Sequence, residues 1–139
     1  MNMDSIKLES VIRPSQGVHL VIDKSFLKGS FGILVPKTSD GRVLFAIPWL
    51  DHVIIGTTDS IVDKPSFNPL ATQNEINFIL ENIKNYLEVY PNKNDIKSVF
   101  VGLRPLVASN SNSKSKDLSR KHKILVSDSG LVSVIGGKW

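Results

Sequence analysis

Cysteine is absent from the 139 residues, which removes disulfides, thiolate nucleophiles and Cys-based metal sites together. The absence agrees with a reducing compartment, so a cytoplasmic location is expected, and no metal site is. Long apolar runs are missing too: no window approaches the roughly 18 consecutive apolar residues of a membrane-spanning helix. With 41% hydrophobic and 22% charged residues, the composition predicts a soluble globular product. Met1–Ser10 carries one Lys and two acidic residues without an apolar stretch, fitting neither a secretory signal nor a basic, acid-poor transit peptide. There is no internal repeat, and no Gly-x-Gly-x-x-Gly follows a strand pattern, so a dinucleotide-binding fold is not expected in this chain.

What is present bounds the answer further. The length suits one domain with a real core. Lys and Arg number 17 against 13 Asp and Glu, a formal charge of +4. Such an excess fits nucleic-acid binding, an anionic substrate, or neither, so distribution must decide. Lys114, Lys116, Arg120, Lys121 and Lys123 crowd one stretch, while the aromatics that would stack bases lie in apolar strand-like runs. No nucleic-acid partner is expected on that ground.

Gly17–Asp23 and Phe31–Pro36 are short β-branched runs that read as strands. Ser39-Asp40-Gly41 supplies a tight reversal into the strand over Val43–Trp49, and Leu50-Asp51-His52 a second one into Val53–Thr58. The result is an antiparallel meander, with Pro48 tolerable only near a strand end or on an edge. Thr72 with Glu75 forms a capping box, worth about 1 kcal/mol. Behind it Ile76, Ile79, Leu80, Ile83, Leu87 and Tyr90 recur at helical spacing, predicting one main helix over Thr72–Tyr90 with a single apolar face. That helix should cover one side of the sheet and leave the other to water. Ile96–Leu103, His122–Ser127 and Leu131–Ile135 add strands, the last two joined at Asp128-Ser129-Gly130. Ser109–Ser119 has almost no apolar content, so residues 108–119 read as a mobile loop. The fold class is therefore α+β: an antiparallel or mixed sheet of about six strands with one helix on one face.

Polar groups gather beside apolar strands in three places: Arg13–His19, Gly56–Asp59 and Gly102–Leu106. His19, mid-strand, suits a hydrogen-bonded structural histidine or a functional one. Arg104, before a proline, is either salt-bridged within the domain or aimed at an anion. Thr57, Thr58 and Asp59 suit strand termination by side-chain bonds as well as ligand contact. Gly136, Gly137 and Lys138 end either in a flexible tail or in backbone amides that approach a ligand.

Taken together and in order, RPSQGVHLVID, IPWLDHVIIGTTD, VGLRPL and SRKHKILVSDSGLVSVIGGKW resemble the FAD-dependent glycerol-3-phosphate dehydrogenases across nearly the whole chain. GTTD and a terminal GGK are shared loosely with the wider glycine-oxidase and D-amino-acid-oxidase-like superfamily. Pro-Ser-x-Gly-x-His and Gly-x-Arg-Pro-Leu look specific to the glycerol phosphate branch. The resemblance implies an N-terminal half that holds FAD, and a cap, similar to residues 1–139, that holds substrate. It implies a chain cut at both ends, inactive alone and without FAD bound to it.

By the same resemblance His19 and Arg104 are the catalytic pair, His19 serving as base or as orienter of the C2 hydroxyl. Arg104 and Lys138 contact the phosphate or substrate oxygens, where a charge-assisted bond contributes about 1.5–3 kcal/mol. Arg120, Thr57 and Thr58 join the substrate set, and Gly136, Gly137 and Lys138 lie near the isoalloxazine. The implied partners are glycerol 3-phosphate, dihydroxyacetone phosphate and a quinone acceptor, in a parent peripheral to the inner face of the cell membrane that could be a homo-oligomer. Two rivals stay open: the cap of another FAD-dependent amine or hydroxy-acid oxidase, and a stand-alone anion- or nucleic-acid-binding module.

Overall fold

The computed structural model describes residues 12–107 and 121–137. Strands β1 (Ile12–Asp23), β2 (Ile33–Val35), β3 (Leu44–Trp49), β4 (His52–Gly56) and β5 (Ser60–Ile61) precede helix α1 (Gln73–Ile83). Strands β6 (Ser98–Val107), β7 (Lys123–Val126) and β8 (Val132–Ile135) follow it. The order β2-β3-β4-β1-β5, with β6 pairing β1, makes one six-stranded sheet, and β7 with β8 makes a second of two strands. Among the described residues no helix is long and apolar enough to cross a membrane.

The chain divides into two compact units. Gln16–Asp59 with Ser66–Gly102 forms the larger. Its three-strand meander follows the expected turns. Gly41, at φ +83°, closes the β2–β3 reversal, where the Thr38 amide donates to the Arg42 carbonyl at 2.8 Å. Asp40 fixes this turn by accepting from the Arg42 backbone amide at 3.1 Å and from Arg42 Nε at 2.6 Å. Burial alone would raise the Asp40 pKa, but the bonds from Arg42 and Thr38 outweigh it and hold the carboxyl below its usual value. Arg42 also donates to the Asp59 carbonyl and lies over the Phe78 ring, tying the turn to the segment after β4 and to the helix. Trp49 pairs with His52 across a two-residue turn. Pro48 pairs with Val53 beyond the last β2 partner of β3, Ala46, so its missing N–H disrupts no ladder on that side.

Alternation decides which side chains meet the helix. Val18, Leu20 and Ile22 of β1, Leu44 and Ala46 of β3, and Val53 and Ile55 of β4 are buried with Ile79, Leu80 and Ile83 of α1. Each inward position contributes by removing apolar area from water, at roughly 25 cal/mol per Å². The capping box forms as expected, with Thr72 Oγ1 accepting from the Glu75 amide and the Glu75 carboxylate from the Thr72 amide. The helix is shorter than its apolar periodicity, however. It ends at Ile83, and Lys84–Tyr86 tightens into a 3₁₀ turn. Leu87 still packs on the core, but from extended backbone. The sheet's other face is open to water, as expected, but its outward side chains on β3 are apolar. Phe45, Ile47 and Trp49 point out from it, and Trp49 is 62% exposed.

The smaller unit contains the described parts of Met1–Ser15, Ser60–Pro65 and Leu103–Trp139. Here the Val62 amide donates to the Pro14 carbonyl at 2.9 Å, fastening the short β5, which is too brief to show in the sequence. The β7–β8 hairpin forms its own ladder, Lys123 opposite Ile135 and Val126 opposite Val132, rather than extending the larger sheet as expected. Gly130, at φ +84°, completes its turn. The stretch read as a loop, 108–119, lies outside the described residues.

Candidate functional site

His19 closes the β1–β4 ladder, paired with Gly56. Because Val18 and Leu20 turn toward the helix, His19 turns to the opposite face. There its ring stacks on Phe100 of β6, with centroids 4.8 Å apart and planes 10° from parallel. The imidazole lies directly across Gly56: a Cβ added to that glycine would fall 2.2 Å from His19 Cδ2 and 2.9 Å from Nε2. Glycine is thus required at position 56 by the close approach of a side chain. Phe45, Ile47, Trp49, Ile54 and Thr57 complete a cleft of about 330 Å³ around this histidine. Such a volume, mostly apolar with few polar groups, is typical of small-molecule sites.

Thr57 lines the cleft and donates to the Thr58 carbonyl at 3.1 Å. Thr58, grouped with it as a substrate contact, sits differently. It is 2% exposed, and its hydroxyl accepts from the Val18 amide at 3.0 Å and donates to Glu75 Oε1 at 3.1 Å. Glu75 Oε2 further accepts from Gln16 Nε2 at 2.8 Å and from the Thr72 amide and hydroxyl, each at 2.9 Å. Gln16 Nε2 also donates to the Leu70 carbonyl at 3.1 Å. The group is buried, with Gln16 7% and Glu75 6% exposed.

Of the other expected residues, Arg104, Gly136 and Gly137 belong to the smaller unit. Arg104 is partly exposed on β6. Gly136, at φ +77°, sits where a Cβ would fall 2.5 Å from Val107 Cγ2 and 2.8 Å from the Lys121 carbonyl, so the hairpin end packs only with glycine there. Gly137 follows at φ +106°. Arg120 and Lys138 lie outside the described residues. Sequence reasoning did not single out Phe100, Trp49, Gln16 or Glu75's second role. The usable signal was Gln16 itself, an amide entering an apolar strand, which must find partners when buried.

A model of the FAD dependent oxidoreductase family matches residues 1–136. The chain belongs to that family. It is 41% identical over 139 residues, 99% of its length, to a mitochondrial glycerol-3-phosphate dehydrogenase of Mesocricetus auratus, and 39% identical to that of Homo sapiens over the same span. The crystal structure of a glycerol-3-phosphate dehydrogenase from Bacillus halodurans complexed with FAD superposes on 91% of the chain with a TM-score of 0.72 and 36% identity. The chain spans 19% of the length of those curated relatives and 23% of that solved chain.

The cleft fits part of the family's cofactor. Phe45, Ile47, Trp49 and Ile54 offer an apolar surface suited to a flat aromatic ring system, with a single imidazole and Thr57 as polar neighbours. These cleft residues would meet the ring portion of the cofactor.

Proposed function

We propose that this chain is the substrate-side part of a longer FAD-dependent enzyme that oxidises sn-glycerol 3-phosphate to dihydroxyacetone phosphate. The observation that carries the reading is His19, stacked on Phe100 and laid over Gly56 in an apolar cleft. The likeness to glycerol-3-phosphate dehydrogenases over nearly all of the chain supports it. FAD, when bound, supplies the hydride acceptor. His19 holds the C2 hydroxyl and takes its proton as the C2–H bond breaks, leaving the ketone. A positioned base of this kind contributes about 10²- to 10⁴-fold. The apolar walls keep water from the reacting carbon and strengthen each electrostatic contact inside. Arg104, with Lys138 and Arg120, binds the phosphate, whose charge of nearly −2 favours several cations. Electrons then pass to a quinone, with the whole enzyme peripheral to a membrane.

The test is anaerobic bleaching of the flavin in the full-length enzyme by sn-glycerol 3-phosphate, glycerol, 2-hydroxy acids and amino acids. The phosphate ester alone should reduce it rapidly, and His19→Asn should slow that reduction by at least about 100-fold. Faster bleaching by a 2-hydroxy acid or an amino acid would assign the cleft to another oxidase of the family.

A further inference from the structure

A capping box needs its glutamate only to accept from the backbone amide at the start of the helix. Glu75 does this and more. Its two oxygens also receive Gln16 Nε2 from β1, the Thr58 hydroxyl from the segment after β4, and the Thr72 hydroxyl. A carboxylate this buried is costly to keep unless its bonds are made, so the surrounding donors are fixed in turn. Three chain segments are thereby joined at one side chain: Gln16–Val18, Thr57–Thr58 and Leu70–Thr72.

The place of this junction matters. The β1–β4 ladder ends at the His19–Gly56 pair. The Val18 amide, which the ladder no longer serves, is taken by Thr58 Oγ1. That bond sets the backbone immediately before His19, and the same threonine sets the backbone immediately after Thr57. Both cleft residues thus hang from a hydroxyl that Glu75 orients from behind the sheet.

We propose that Glu75 is a positioning residue for His19 and Thr57, acting through Thr58. The role rests on the proposed function above, since it is the histidine's chemistry that gives the placement a consequence. Displacement of a reacting group by about 1 Å can cost about 100-fold in rate without changing what binds. Loss of the junction should therefore lower kcat and leave KM nearly unchanged.

The experiment uses the flavin-loaded full-length enzyme with Glu75→Gln, Thr58→Val and, as a stability control, Ile83→Val. Thr58→Val keeps the side chain's shape and removes only the hydroxyl, so it decides the matter alone if Glu75→Gln does not fold. Two readouts are taken well below the melting temperature. One is steady-state turnover, and the other is the ¹³C–¹H signal of the His19 ring, recorded without substrate, which senses its stack on Phe100. Both junction variants should lose roughly 10- to 100-fold in kcat with KM held within about threefold, and both should move the His19 signal. Ile83→Val should lower the melting temperature and do neither. An unmoved His19 signal with wild-type kcat in Thr58→Val, or an equal kcat loss in Ile83→Val, overturns the proposal. The signal needs no substrate, so a mistaken substrate assignment shows separately, as wild-type flavin that glycerol 3-phosphate does not reduce.

Discussion

Replacing Gly56 by alanine adds a single methyl group, and its consequence follows from one distance. The new carbon would lie 2.2 Å from His19 Cδ2 and 2.8 Å from Cγ, whereas carbon atoms in contact rest at about 3.5 Å or more. The imidazole must therefore retreat by about 1.3 Å, and it cannot do so while stacked on Phe100 at 4.8 Å. Gly56 has no positive φ, so alanine is excluded by the ring and not by its own backbone. Overpacking of this kind costs typically about 1–3 kcal/mol, partly relieved here because the cleft is open on one side. The displacement alone should lower kcat by about 100-fold. The measurement pairs turnover with thermal melting for Gly56→Ala, His19→Ala and the double variant in the full-length enzyme. Removing the ring should restore most of the melting temperature lost by Gly56→Ala, a coupling expected for groups in contact, without restoring activity. A Gly56→Ala enzyme with wild-type turnover and melting would refute the account of the cleft.

Two further outcomes concern stability. Leu20 is fully buried between sheet and helix, so Leu20→Ala should cost about 2–5 kcal/mol in urea unfolding; a loss below about 1 kcal/mol would mean the core is not where it is described. Asp40 titrates below its ordinary value in the folded chain, through bonds from Arg42 and Thr38 that outweigh its burial. Its stabilising contribution is therefore present above the unfolded carboxyl pKa, about 4, and is lost as pH falls through the lower folded value. Asp40→Asn should flatten the fall of the urea midpoint below about pH 4, and an unchanged acid slope would contradict this.

Most of the framework is legible in local signals. The reversal at Gly41, the two-residue turn after Trp49 and the Thr72–Glu75 box each rest on a few adjacent residues, and each forms. The end of α1 was not legible, because apolar spacing continues through Leu87 while the backbone does not. After Ile83 the chain meets Asn85 and Tyr86, weak helix formers, and Leu87 reaches the core from extended backbone instead. The β7–β8 pair shows a limit of another kind: alternation and an Asp-Ser-Gly turn announce a hairpin but not the sheet it joins. His19 could be picked out in the sequence, yet its neighbours could not. Phe100 lies far along the chain, and Gly56 becomes meaningful only once the register sets it opposite the imidazole. Glu75 was recognisable as a cap, a role local in sequence. Its bonds to Gln16 and Thr58 join positions 59 and 17 residues away, and no short-range pattern encodes them.

The outward side chains of β3 carry a consequence for hydropathy itself. A strand wet on one flank ordinarily advertises the fact by a polar residue at every second position. Leu44-Phe45-Ala46-Ile47-Pro48-Trp49 has none, since the flank that lines the cleft is as apolar as the flank that meets the helix. The strand consequently carries the signature of one enclosed on both sides, and the period-two beat that would have marked the cleft is silenced by the cleft's own chemistry.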